Sequence, residues 1–318
     1  MIFAAVAPIF VIIALGFLLR RTGVLTEEAD TSLLRICVNL LYPCLIASSI
    51  IGNELLRERV NLWLPPLTGI VLVGLGYLLC YGGGRALRLP GGPGNPQLRT
   101  FVFVTALYNY GYTAIPIVQK LFGTKTLGVL FTHNLGVEIA LWAGAGLILG
   151  RSAASGRDKP LWRHLLSAPV VAILVSLALN ALHARQFLPE WLFGGFNMIG
   201  AAAIPMALLL TGATLSDFIK EAGFSRSGLQ TVATASLLRL ALLPLAFIAL
   251  ARWLPCSVEL KQVLVVQAAM PSAMFPIILT KHYKGDTAMA VQIVFATTAL
   301  ALLTIPYWIN FGLRMAKL

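Results

Sequence analysis

Two ionisable residues sit where a charge is costly. Glu138 lies within the apolar run HNLGVEIALW and Arg239 within SLLRLALLP, each near the middle of a stretch otherwise almost free of charge. Ionisable side chains in hydrocarbon are rare; they either pair with one another or mark pathways for ions, protons or substrate. Glu138, with Asn134 one turn before it and His133 beside that, can carry a proton or ligate a sodium ion. Arg239 can attract an anion or simply neutralise a carboxylate, so a Glu138–Arg239 ion pair is the structural alternative. Arg35 lies near enough to the start of its run to reach the membrane surface.

Two further segments combine polar side chains with proline inside apolar runs. NYGYTAIP carries Asn109, Tyr112, Thr113 and Pro116; QAAMPSAMFP carries Gln267, Pro271, Ser272 and Pro276. A proline inside a helix removes one hydrogen bond and pushes away the carbonyl four residues back. In lipid that carbonyl needs a partner from protein, water or ligand. Opened helices expose half-helix N-termini, whose N–H groups and positive dipole end suit an anion, with Asn109 and Gln267 placed to orient it. The alternative is a pair of kinks that only bend packed helices. In NLLYP, Asn39 and Pro43 are spaced i, i+4, so the Asn39 amide either re-satisfies local backbone or faces a cavity. Pro205, in GAAAIP, occupies the matching place later in the chain, with Ala201 where the first copy has Asn.

The elements that must position these residues are apolar helices. Of 318 residues, 58% are hydrophobic and only 11% charged, with a mean hydropathy of +0.84. A soluble chain of this length needs more polar surface. Runs of about 20 apolar residues match the ~30 Å hydrocarbon layer at ~1.5 Å rise per residue, and no strand-like alternation is present. The pattern predicts an all-α integral membrane protein with ten spans: 2–19, 32–51, 63–82, 99–121, 127–150, 165–183, 193–216, 228–251, 260–281 and 287–313.

AIPIVQKLFGTKTLG in the fourth span is echoed by MFPIILTKHYKGDTAM in the ninth, and NLLYP in the second by GAAAIP in the seventh. An offset of five spans predicts two inverted five-helix repeats, residues 1–155 and 156–318, with proline-broken crossing helices 4 and 9. That is the plan expected of secondary transporters.

The net charge of +12 falls mostly between the runs, where it reads as topology and contact with anionic lipid rather than nucleic-acid binding. The inner loops, with Arg151, Arg157, Lys159 and Arg163 among their cations, outweigh the outer ones, which predicts both termini outside a cell membrane. At the N-terminus Arg20 and Arg21 follow the apolar stretch instead of preceding it, so that segment reads as a retained span and not a signal peptide. Cys37, Cys44, Cys80 and Cys256 suggest neither a disulfide framework nor a metal site. No GxSxG, HExxH or phosphate-binding loop occurs, so neither enzyme chemistry nor a cofactor is expected.

The chain resembles the auxin efflux carrier family in its compact bacterial form. The likeness rests on NLLYPCLI, NYGYTAIPI, IGAAAIPMALLLTGATL, AAMPSAMFPIILTKHYKGD and ATTALALLTIPYWI, in that order and spacing over nearly the whole length. It implies ten helices in two inverted repeats, crossed broken helices around the substrate site, and transport of organic anions: auxin in plants, malonate or similar acids in bacteria. Asn109, Pro116, Pro271 and Pro276 take the family's positions. The long central hydrophilic loop of the plant exporters has no counterpart in residues 151–164, and Glu138 belongs to no motif of the family. The bile acid/sodium symporters share the crossed-helix plan and are the nearest rival.

The expected function is alternating-access transport of a small carboxylate, with a proton or sodium as coupling ion and a second copy of the chain as a candidate partner. A membrane receptor that binds such an acid without moving it is the alternative from another class.

Overall fold

The structure, a computed structural model, describes residues 2–91, 95–150, 166–221 and 228–318. The boundary expected at residue 155, and Arg151, Arg157, Lys159, Arg163 and Arg226, lie outside the described residues. In chain order the helices are α1 (Ile2–Arg21), α2 (Glu27–Ile36), α3 (Tyr42–Ile50), α4 (Arg59–Ala86), α5 (Gln97–Ala106), α6 (Ala114–Gly144) and α7 (Ala168–Ala181). They continue as α8 (Glu190–Ala201), α9 (Ala203–Glu221), α10 (Leu229–Leu237), α11 (Leu243–Trp253), α12 (Val258–Ala268), α13 (Phe275–His282) and α14 (Thr287–Met315).

Side chains start several of them. The Thr26, Ser257 and Asp286 oxygens accept from the N–H groups of Ala29, Leu260 and Met289, each satisfying one of the donors that a helix leaves unpaired at its N-terminus. π-helical turns at Cys37–Leu41 and Leu238–Leu242 immediately precede α3 and α11. Pro43 and Pro244 stand at the second position of those helices. The wide turn takes up the slack where the ring would otherwise clash with the carbonyl behind it.

The expectation of ten spans in two inverted five-helix repeats is overturned. Among the described residues, five helical stretches have the length and apolar composition to cross a bilayer: Glu27–Ile50, Arg59–Ala86, Glu190–Asp217, Leu229–Trp253 and Thr287–Met315. The apolar runs are longer than the helices they form. The expected fourth span stops after 10 helical residues, at Ala106, and the expected ninth divides into helices of 11 and 8 residues. At ~1.5 Å per residue such pieces cover about half of the hydrocarbon layer. The expected sixth span forms a helix of only 14 residues. The fifth continues from the fourth as α6, which breaks its helical geometry at Gly123 and carries His133, Asn134 and Glu138 in its apolar part. Gly123 has φ 82° and ψ −172°, a backbone that only glycine adopts cheaply.

Two packing groups emerge. α1 lies along α9, and α3 along α7 and α8; α4 lies along α5 and α6, while α12 packs on α6, α11 and α14. In the first group Arg20, buried at the end of α1, pairs with Asp30 of α2 and with Asp217 of α9, the latter at 3.0 Å. In the second, α4 and α6 approach so closely that a Cβ on Gly136 would overlap the Pro66 carbonyl. Backbone cannot yield as a side-chain tip can, so Gly136→Val should cost about 1–3 kcal/mol. A clear fall in the melting temperature of detergent-purified protein is expected, and an unchanged melting curve would mean that the helices pack less tightly than this.

Candidate functional site

The helix-breaking sequence at each interrupted run has an identifiable cause. After Ala106, Leu107 turns extended, with φ −81° and ψ 116°. Pro271 lacks an N–H and biases Met270 away from helical geometry. The two loosened segments lie side by side. Tyr108 and Ser272 form an isolated antiparallel bridge, with Asn109 N–H donating to the Pro271 carbonyl at 2.8 Å and Ala273 N–H to the Leu107 carbonyl at 2.9 Å. An unpaired backbone group in hydrocarbon costs several kcal/mol. Here each broken run supplies the partners that the other lacks, so neither break could persist alone.

The remaining freed groups are met by side chains. The Tyr110 carbonyl accepts from Asn134 Nδ2 at 3.0 Å and from Gln267 Nε2 at 3.4 Å, and Gln267 Nε2 also reaches Asn134 Oδ1 at 3.2 Å. Ser272 N–H donates to Thr297 Oγ1 at 3.3 Å, and Thr113 N–H to Asn109 Oδ1 at 3.4 Å. Behind the bridge, the Tyr108 hydroxyl meets His133 Nε2 at 2.9 Å. His133 Nδ1 lies 3.0 Å from Thr68 Oγ1, whose proton goes to the Pro65 carbonyl, and 3.2 Å from that same carbonyl; both can accept there, which fits a proton on Nδ1 with Tyr108 donating to Nε2.

One face of this junction borders a cavity of about 240 Å³. The junction contributes Asn109, Tyr110, Gly111, Tyr112, Ala273, Met274 and Phe275; α6 contributes Ile115, Phe131, Asn134, Glu138 and Trp142. The opposite wall is Val38, Tyr42 and Ile46 together with Ser167, Pro169, Val170 and Ile173 at the start of α7. Among the described residues the lining is mostly apolar and includes no Lys, Arg or His, and Glu138 is its one acidic side chain. Glu138 Oε1 accepts from the Tyr110 hydroxyl at 2.7 Å, and Oε2 from Trp142 Nε1 at 3.2 Å.

The sequence-derived residues divide into four sets. Asn109, Tyr112 and Glu138 line the cavity. Gln267, Pro271 and Ser272 are buried in the junction that supports it, and Gln267 Oε1 and Ser272 Oγ have no partner among the described residues. Thr113, Pro116 and Pro276 occupy the starts of α6 and α13. The others lie away from the lining. Asn39 is exposed and donates to the Arg35 carbonyl at 2.9 Å, and Pro205 is exposed in the first turn of α9. Pro116 and Pro276 stand in first turns, where an absent N–H has no intrahelical partner to lose, whereas Pro43 and Pro205 lie within the longer helical stretches Glu27–Ile50 and Glu190–Asp217.

Arg239 does not pair with Glu138. It is fully buried, with Nη1 3.4 Å from the Ala106 carbonyl and its guanidinium carbon 5.4 Å from the ring centres of both Tyr108 and Phe247. Among the described residues its Nε and Nη2 have no hydrogen-bond partner, and no ion pair includes it. It therefore faces the carbonyl end of α5, the negative end of a short helix dipole.

Tyr110 and Trp142 were missed by sequence reasoning. An in-span carboxylate flanked at a helical turn's distance by Trp, in a chain with a polar aromatic cluster at 108–112, was the signal available.

Comparison with known proteins places these features in context. A family model described as membrane transport protein matches residues 1–160 and 157–309. The chain is 25% identical over 304 residues to an uncharacterized transporter of Methanothermobacter thermautotrophicus, covering 95% of this chain and 96% of that one. It is 24% identical over 303 residues to an uncharacterized transporter of Methanocaldococcus jannaschii, covering 94% and 95%.

Proposed function

We propose that this chain, which belongs to the membrane transport protein family of the auxin efflux carriers and is a multi-pass membrane transporter, carries a small carboxylate by alternating access. The observation that carries the reading is the cavity at the junction of two interrupted helices. α6 and α13 start at that junction, so their N-terminal N–H groups and positive dipole ends lie beside the cavity. The Asn109 amide adds a donor on the cavity wall, and the buried Arg239 supplies positive potential from behind the bridge.

Access alternates, in this reading, by movement of the group that includes α3 and α7 against the group that includes α6 and α12. The cavity lies between these two groups, so a modest displacement of one wall opens or closes it without breaking the bridge. The apolar lining suits the body of an organic acid, and its volume suits a small one. We place the chain in the cell membrane, with lipid against its five apolar stretches.

Purified protein in liposomes should accumulate at least one radiolabelled acid from a panel of malonate, succinate and phenylacetate, saturably and above protein-free liposomes. Binding without accumulation would make the chain a receptor and end the carrier reading.

A further inference from the structure

A carboxylate facing a cavity meant for another carboxylate is an electrostatic contradiction, and its resolution assigns a role to Glu138. We propose that Glu138 is a proton-coupling site, so that each anion crosses together with one proton; this inference rests on the carrier reading above. A carboxylate bound beside Glu138 in this cavity of about 240 Å³ would stand roughly 5–7 Å from it, and the described residues that line the cavity include no Lys, Arg or His. At that separation and an effective dielectric of ~20, repulsion between two negative charges lowers affinity by a factor of about 50–300. Protonation removes that penalty. By linkage, a bound anion favours the protonated carboxyl to the same extent.

The hydrogen bonds around Glu138 make its charge state readable by the junction. Ionised Glu138 accepts from Tyr110 and Trp142, one on each oxygen. Tyr110 is also the residue whose backbone carbonyl is held by Asn134 and Gln267. One residue thus connects the carboxylate to the segment where the two interrupted helices meet. Uptake of a proton weakens two charge-assisted bonds and loosens the Tyr110 side chain from the α6 wall while its carbonyl stays anchored. The titratable groups facing Glu138 are Tyr110 and Tyr112 of the junction, with Tyr42 of α3 and Cys37 of its preceding turn behind Tyr112. Trp142 and Asn134 on its own helix, and Phe275 and the start of α7 opposite, add no charge. The step balances as a transfer from hydronium to the carboxylate on one side of the membrane and from the carboxylic acid to water on the other.

The test uses the full chain in liposomes loaded with a pH-sensitive dye, with radiolabelled malonate, succinate and phenylacetate as probes. Anion uptake should acidify the lumen, and an acidic exterior should raise the initial rate about tenfold or more. Glu138→Gln should lose both the acidification and the stimulation. Tyr110→Phe, which removes one donor and leaves the fold intact, should shift the midpoint of the uptake-versus-pH curve by about one unit toward alkaline pH, because the ionised carboxylate loses a stabilising bond. Anion uptake without proton movement, or an unchanged pH profile in both variants, would overturn the coupling role and leave the carrier reading standing. Failure of folded protein to take up any probe would remove the carrier reading and this inference with it.

Discussion

Arg239→Met is expected to raise the melting temperature of the purified protein by about 2–6 °C while reducing carboxylate transport at least tenfold. The two effects have opposite signs because they come from different properties of one side chain. As a buried charge, Arg239 has no carboxylate partner among the described residues, and two of its nitrogens make no hydrogen bond. Burying an ion costs several kcal/mol, and a side chain of similar volume without charge commonly recovers about 1–4 kcal/mol of it. The weak contact with the Ala106 carbonyl and the faces of Tyr108 and Phe247 returns only part of that cost. As a source of potential, however, it is the one fully buried cation among the described residues, and it stands directly behind the junction. Arg239→Lys should retain part of the transport, because the charge remains while the planar fork is lost. A Met variant that melts earlier and transports normally would make Arg239 a structural residue.

Asn109→Ala should lower transport about ten- to a hundredfold with little loss of folded protein. The bonds that hold the junction at this position are main-chain bonds: Asn109 N–H to Pro271, and Ala273 N–H to Leu107. Alanine keeps them. What disappears is the side-chain amide, whose Oδ1 accepts from Thr113 N–H at a long 3.4 Å and whose Nδ2 is a donor available to an anion in the cavity. A hydrogen bond to a charged group contributes about 1.5–3 kcal/mol, which sets the range. Equal losses of transport and of folded protein would mean that Asn109 only stabilises the break. Monodispersity by size exclusion and the melting curve, measured beside uptake, separate the two outcomes.

Two interruptions, near NYGYT and at Pro271, were legible in the sequence, whereas the break at Gly123 and the number of helices that cross the membrane were not. Pro271 and the NYGYT cluster announce interruptions because proline's missing N–H and a run of turn-forming polar residues act locally. Whether an interrupted run still spans the bilayer depends on how far the loosened backbone extends, and seven residues from Leu107 to Thr113 leave the regular helix. Length of apolar sequence therefore overstated length of helix. The internal echo of sequence motifs likewise led to a ten-span, two-repeat plan that the helices do not follow.

Partners were also beyond the sequence. A Glu138–Arg239 ion pair was one of two readings the sequence left open, because two opposite charges in an apolar chain can find each other. In the fold Glu138 meets Tyr110 and Trp142, while Arg239 turns to the end of α5. For Asn39 the sequence left two readings open, local backbone or a cavity; in the fold its amide serves the carbonyl one turn back and the residue is exposed.

Composition and hydropathy determined by themselves that this chain lives in a bilayer, because the cost of placing polar groups in hydrocarbon is a sum over residues and needs no coordinates. The tertiary structure decided which polar groups share a cavity and which satisfy each other. Those pairings join positions such as Tyr110 and Gln267, 157 residues apart, and a hydrogen bond depends on distance in space, which order along the chain does not encode.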